Sequence, residues 1–191
     1  DAVLSTEDTR FYSHLGIDPI RLIKAVLVNI RSNSAQQGAS TITQQVVKNS
    51  LLTSDKSLQR KIQEAYLSLK LENKYSKKDI LEMYMNKIYY SDGLYGVKRA
   101  AKYFYNKELD QLTLPQVALL TGIPQQPILY NPYDYPEQAK ERRDTVLYAL
   151  LSNGKISEDE YNGAVNTPIT EGIVSKTKEE RANQHTYNPK F

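Results

Sequence analysis

Two glutamates and a group of cations are the residues with chemistry to offer. Val3, Leu4, Glu7 and Phe11 recur at helical spacing. A helix over 3–14 therefore puts the Glu7 carboxylate within an apolar stripe, with His14 on the same face and Asp8 pointing away. A carboxylate taken out of water must be paired, or it tends to keep its proton, which is how a general base or acid is made. A partly exposed Glu7 that caps the first turn and pairs with Arg10 accounts for the same spacing. Glu64 sits on another helix beside Arg60 and Lys61. Opposite charges that close favour an ionised carboxylate, although an ordinary i,i+4 ion pair worth about 0.2–0.5 kcal/mol reads identically. Lys48 and Lys56 add two more cations. Thr41, Gln44, Gln45 and Lys48 share one helix face opposite Ile42 and Val46. That face is either a hydrogen-bonding surface for a polyol or a phosphate, or a solvated helix face.

Paired carboxylates suggest work at an anomeric carbon. The cations bear on which reaction. A glycoside hydrolase must expel an alcohol, so it needs a protonated acid beside the glycosidic oxygen. A pyrophosphate is already a weak base and needs positive charge instead of a proton. One carboxylate in an apolar setting with several cations fits glycosyl transfer from a sugar diphosphate better than hydrolysis. A muramidase-type hydrolase and a non-catalytic glycan- or lipid-binding module remain the competing readings.

These residues need helices to carry them. The chain has 191 residues, 40% apolar and 25% charged, long enough for one domain with a core. Its net charge of +3 gives no argument for nucleic acid. Without cysteine there are no disulfides or thiolate sites, and two histidines argue against a multi-histidine metal site. Within these 191 residues no run is long and apolar enough to span a bilayer, and none has a signal-peptide pattern. The first residues read as the inside of a helix without a cap, which points to a segment upstream.

Asp18-Pro19 supplies an N-cap and a first-turn proline for a basic amphipathic helix to about Arg31, with Ile23, Val26, Leu27 and Ile30 on its apolar face. Such a helix can rest on an anionic membrane surface or cover a core. Residues 32–39 are small and polar and read as a mobile loop. Thr41-x-x-Gln44, Ser76-x-x-Asp79, Thr113-x-x-Gln116 and Ser157-x-x-Glu160 are helix-start patterns. In the helix from Lys56 to about Asn73, Leu58, Ile62, Ala65 and Leu69 make the expected core stripe, with Lys56, Arg60 and Glu64 on the far face. Further helices are expected over 94–106 and 137–152, the latter with Arg143 as a buried clamp. The proline-rich stretch 124–132 reads as a rigid extended loop. No strand pattern of useful length appears. The fold class is all-α, with no internal repeat.

The motifs carry a resemblance. Glu7-Asp8-x-x-Phe11-x-x-His14-x-Gly16 resembles the first signature of the family 51 peptidoglycan glycosyltransferases, the domain of class A penicillin-binding proteins and monofunctional transglycosylases. Gly38-x-Ser40-Thr41-Ile42-x-Gln44-Gln45-x-x-Lys48-Asn49 resembles the second and Arg60-Lys61-x-x-Glu64 the third. Ile80-Leu81-Glu82-x-Tyr84-x-Asn86-x-x-Tyr89 resembles the fourth, and Ala118-Leu119-Leu120-x-Gly122-x-Pro124-Gln125-x-Pro127 with Tyr130-Asn131-Pro132 the fifth. Met85 and Thr121 are departures that touch no charged site residue.

The resemblance implies a lysozyme-like helical domain over 1–174, with a smaller membrane-facing lobe and flexible lid over 17–39 and a polar linker or tail over 175–191. It implies a polymerase of lipid II. Glu7 would be the base and Glu64 the donor-side assistant, orienting cations or a divalent metal (Mg or Mn). Lys48, Lys56, Arg60 and Lys61 would hold the pyrophosphate, and Ser40, Thr41, Gln44, Gln45 and Asn49 would line the cleft. Implied partners are lipid II, the lipid-linked glycan strand, the membrane surface and a C-terminal transpeptidase domain, with no nucleic acid and no organic cofactor. The implied location is the extracytoplasmic face of the cell membrane, with an upstream transmembrane anchor.

Overall fold

The structure, a computed structural model, describes residues 1–23, 40–51 and 57–183. Among them the chain is helical, joined by turns, with one isolated bridge between Tyr89 and Tyr95 and no strand. The helices are α1 (Ala2–Glu7), α2 (described over 19–23), α3 (Ile42–Leu51), α4 (Leu58–Lys74), α5 (Lys77–Lys87), α6 (Val97–Tyr105), α7 (Leu114–Gly122), α8 (Pro136–Ser152), α9 (Glu158–Asn166) and α10 (Lys178–Asn183). The expected helix beyond residue 23, the loop 32–39 and the tail beyond 183 lie outside the described residues.

Local chemistry explains the starts. Asp18 Oδ1 accepts from Arg21 N at 3.0 Å and caps α2. Thr41 and Gln44 exchange side chain and backbone at 3.0 and 3.2 Å. The boxes at Thr113 and Ser157 close reciprocally, as their spacing requires. Each satisfies amides that a helix start leaves without partners.

The chain divides into two compact units. The first joins Asp1–Thr6 to the chain from Ile88 onward. There Ala2, Ala118, Val146, Leu147, Leu150 and Ala164 form an apolar core where α1, α7, α8 and α9 pack. Arg143 is 1% exposed and is the clamp its position requires: it donates to Thr167 O at 2.7 Å and Val165 O at 3.0 Å, beside Asp144. The stretch after Gly122 is coiled, not extended. A 3-10 turn over Ile123–Gln125 is followed by Tyr130 N donating to Gln126 O at 2.9 Å. Residues after 174 are not an undocked tail through 183. Arg181 of α10 is buried and pairs with Asp134 at 2.5 and 2.8 Å and with Asp92 at 3.3 Å.

The second unit, Glu7–Lys87, packs α3, α4 and α5 around Phe11, Ile42, Val47, Ile80 and Tyr84. One expectation is reversed here. On α4 the apolar stripe faces out: Leu58 is 79%, Ile62 63% and Leu69 42% exposed, whereas Glu64 and Ser68 are fully buried. On α3 Ile42 and Val46 are buried as expected, and Thr41, Thr43 and Gln44 are buried with them, leaving Gln45 half-buried and Lys48 and Asn49 exposed. Hydrogen bonds across the unit reward burial of those polar groups, and periodicity alone carries no information about them.

Candidate active site

The helix that opens the chain stops at Glu7, where 3–14 was expected to be continuous. Residues 8–10 turn, and Phe11–Ser13 form a 3-10 turn. The break changes which side chains meet. Asp8 does not point away: it is 1% exposed. Its Oδ2 accepts from His14 Nε2 at 2.9 Å and from Ile42 N at 3.0 Å, so it caps α3 from a distant point in the chain. His14 therefore serves Asp8 and not Glu7. Gly16 N donates to His14 Nδ1 at 3.1 Å, which leaves the ring proton on Nε2, facing the carboxylate. Arg10 is paired with Asp18 at 3.2 Å and not with Glu7.

Gly16 closes this corner. Its φ is +91°, and a Cβ there would meet Ser68 O at 2.9 Å. Only glycine combines that backbone with that approach. Its carbonyl accepts from Thr41 Oγ1 at 2.6 Å. One turn thus fixes α4 at Ser68 and α3 at Thr41.

Glu7 projects from this frame, half-buried. Its backbone carbonyl, left over at the end of α1, accepts from the Arg21 guanidinium. Its carboxylate Oε2 accepts from Gln45 Nε2 at 3.1 Å. The preceding residue of the same helix, Gln44, donates through Nε2 to Glu64 Oε1 at 3.3 Å. Adjacent amides of α3 therefore reach the two carboxylates.

Glu64 is fully buried and surrounded by donors. Lys61 Nζ bonds to Oε1, and Arg60 Nη1 lies 3.4 Å from Oε2. Lys61 also donates to Ser40 Oγ at 3.1 Å, which brings Ser40 into the group. Among the described residues, Arg60 Nε is buried without a hydrogen-bond partner, a donor still to be used. Of the expected site residues, the structure gathers Glu7, Gln45, Gln44, Glu64, Arg60, Lys61 and Ser40. Thr41 is buried and committed to the α3 cap and Gly16. Lys48 and Asn49 are exposed one turn further along α3. Lys56 lies outside the described residues.

A divalent cation at Glu64 does not fit this set. The carboxylate already faces two cations and an amide, and no group of three acidic or histidine side chains converges among the described residues. The arrangement offers one half-buried carboxylate that can accept a proton and, across α3, cations held in place by a buried anion. Sequence spacing missed Asp8, Arg21 and the Gly16 carbonyl as supports. The Asp8 position within the first motif was the signal available.

Comparison with known proteins bears on the same residues. The Transgly family model, described as Transglycosylase, matches residues 1–151. Penicillin-binding protein 1A of Streptococcus oralis is 49% identical over 178 residues, covering 92% of this chain and 28% of that protein. Penicillin-binding protein 1A/1B of Bacillus subtilis (strain 168) is 46% identical over 190 residues, covering 98% of this chain and 21% of that protein. A 2.6 Å crystal structure of penicillin-binding protein 1A from Haemophilus influenzae matches with a TM-score of 0.50 and 36% identity, over 55% of this chain and 15% of that chain. The chain thus spans less than a third of the length of each.

Proposed function

We propose, from the premise that the chain belongs to the transglycosylase family, that it polymerises lipid II into β-1,4 glycan strands. The observation that carries the reading is the pair of adjacent glutamines on α3, one bonded to each glutamate. Glu7 takes the proton of the acceptor sugar's 4-hydroxyl. That oxygen attacks the anomeric carbon of the lipid-linked strand from the face opposite the leaving group, so the α bond breaks and a β bond forms. The electron pair leaves with undecaprenyl pyrophosphate, whose charge falls on Lys61, Arg60 and, at the exposed end of α3, Lys48. Lys56, outside the described residues, joins the same set as the family resemblance implies. Glu64 orients Arg60 and Lys61 and takes no proton. Ser40, Gln45 and Asn49 are the polar contacts for sugar and phosphate, with Thr41 and Gln44 holding α3 in place.

The membrane is the proposed location. Among the described residues no helix is long and apolar enough to cross a bilayer. Ile20, Leu22 and Ile23 are nevertheless 47%, 50% and 60% exposed around Arg21, as suits a surface that meets lipid. An upstream anchor and a following transpeptidase domain are proposed for the full protein.

The test is gel separation of products from labelled lipid II. Glu7→Gln should lower polymerisation by about 10²–10⁴-fold with an unchanged circular dichroism spectrum. An unaltered rate removes Glu7 from the base role. Release of short muropeptides from finished strands would instead identify a hydrolase. A moenomycin-type phosphoglycolipid, which mimics the donor, should bind, and Lys48→Ala should weaken it. Equal affinity would take Lys48 out of the phosphate site.

A further inference from the structure

Beyond Glu64, the last turns of α4 line a cleft that the polymerase reading does not use. It encloses about 340 Å³ between α3, α4 and α5. Val46, Leu67, Leu71 and Met83 give it apolar walls, and Lys70, Lys74 and Lys87 line it with ammonium groups. Lys70 and Lys74 are one helical turn apart and so share a face of α4. All three lysines are exposed. Lys70 lies 4.8 Å from the Tyr66 ring centre and Lys74 5.4 Å from that of Tyr75. No carboxylate among the described residues pairs with any of the three. The nearby Glu72 is taken by Lys77 at 2.7 Å and by Thr43. One more polar atom is unspent: Ser50 Oγ, on a residue lining the cleft, is buried without a hydrogen-bond partner among the described residues.

An apolar cleft with unneutralised cations matches a molecule that is greasy at one end and anionic at the other. A cleft of this size admits part of one acyl chain, and lysines near a bilayer attract acidic headgroups. None of the residues that hold Glu7 or Glu64 lines it, so its occupant is not the reactant in its reacting position. We propose that this cleft binds one anionic phospholipid of the membrane surface, a chain lying against Leu67, Leu71 and Met83 and the phosphate held by Lys70, Lys74 and Lys87. The proposal rests on the membrane location given above but not on the polymerase chemistry, and its test involves no turnover.

The purified protein is titrated calorimetrically with dioctanoyl phosphatidylglycerol below its micelle concentration, and separately with dioctanoyl phosphatidylcholine. One-to-one saturable binding of the anionic lipid is expected, with the zwitterionic lipid at least about tenfold weaker. The double charge reversal Lys70→Glu/Lys74→Glu alters only exposed side chains and should weaken the anionic lipid by at least about tenfold. Leu71→Trp, which fills the cleft, should abolish binding. Equal affinity for the two lipids, no binding of either, or unchanged binding in the charge-reversed protein overturns the proposal. So does displacement by a moenomycin-type phosphoglycolipid, which would assign the cleft to the substrate path. Glu7→Gln should bind phosphatidylglycerol as the parent does, so failure of the polymerase reading would be seen separately.

Discussion

Glu64 shows how much a single carboxylate can organise when it is buried among donors. Isolated, a charge there would cost several kcal/mol, and Lys61, Arg60 and Gln44 offset that cost while being held still themselves. Glu64→Gln should therefore destabilise the protein by up to about 3 kcal/mol, less than for a fully enclosed pair because Lys61 is half exposed. Urea unfolding measures it, and polymerisation should fall with it. Asp8 acts at one remove. It touches no proposed substrate, yet it caps α3 and holds His14. Asp8→Ala should cost about 2 kcal/mol in the same unfolding experiment and lower turnover, since α3 carries both glutamines. Wild-type stability in that variant would mean the cap is idle.

At the scale of elements, α4 is the most informative. Its sequence reads as an ordinary amphipathic helix with Leu58, Ile62 and Leu69 inward, and the fold turns that stripe to the outside. The face that packs is made of Glu64 and Ser68, whose Oγ donates to Glu64 O at 2.7 Å. Substitutions on the two faces should reflect this. Ile62→Gln should change stability by no more than about 0.5 kcal/mol, as on an open surface. Ser68→Leu should cost about 1–3 kcal/mol, because Ser68 is fully buried and a larger side chain there must push its neighbours aside. Thermal midpoints of the two variants in the opposite order would restore the usual orientation. Several helix starts, by contrast, were legible. Thr41-x-x-Gln44, Thr113-x-x-Gln116 and Ser157-x-x-Glu160 all close as their spacing requires, since a cap involves only neighbours in the chain.

At the scale of the whole molecule, each unit carries its own core, and the last described turn is tied to one of them. Arg181 bonds to Asp134 and Asp92 and lies 5.0 Å from the Tyr133 ring centre. Tyr133 in turn donates to Val174 O at 2.7 Å, and burial pushes its hydroxyl up to about 12. The Arg181 guanidinium holds the Asp134 carboxyl below its ordinary value. A carboxyl lowered in this way stabilises the folded form above the ordinary aspartate value, about 3.9, and loses that contribution as pH falls through its lowered one. Residues 172–183 should thus show backbone amide protection at neutral pH that is lost in acid before the core unfolds. Arg181→Ala should remove it at neutral pH as well. Hydrogen exchange read segment by segment decides both, and protection that persists in the variant would put the attachment elsewhere.

The amino-acid order by itself determined the helical class, several helix starts, the buried clamp at Arg143 and the cations beside Glu64. Those follow from spacing along one segment, where caps, periodicity and motif are all local. Tertiary structure alone decided which way α4 faces, that Thr41 and Gln44 at the start of α3 are buried, that α1 stops at Glu7, and that Asp8 rather than Glu7 receives His14. A helix has no preference for which face is buried until another element offers partners. Here the partners offered were hydrogen bonds from distant parts of the chain, and these outweighed the exposure of three aliphatic side chains on α4.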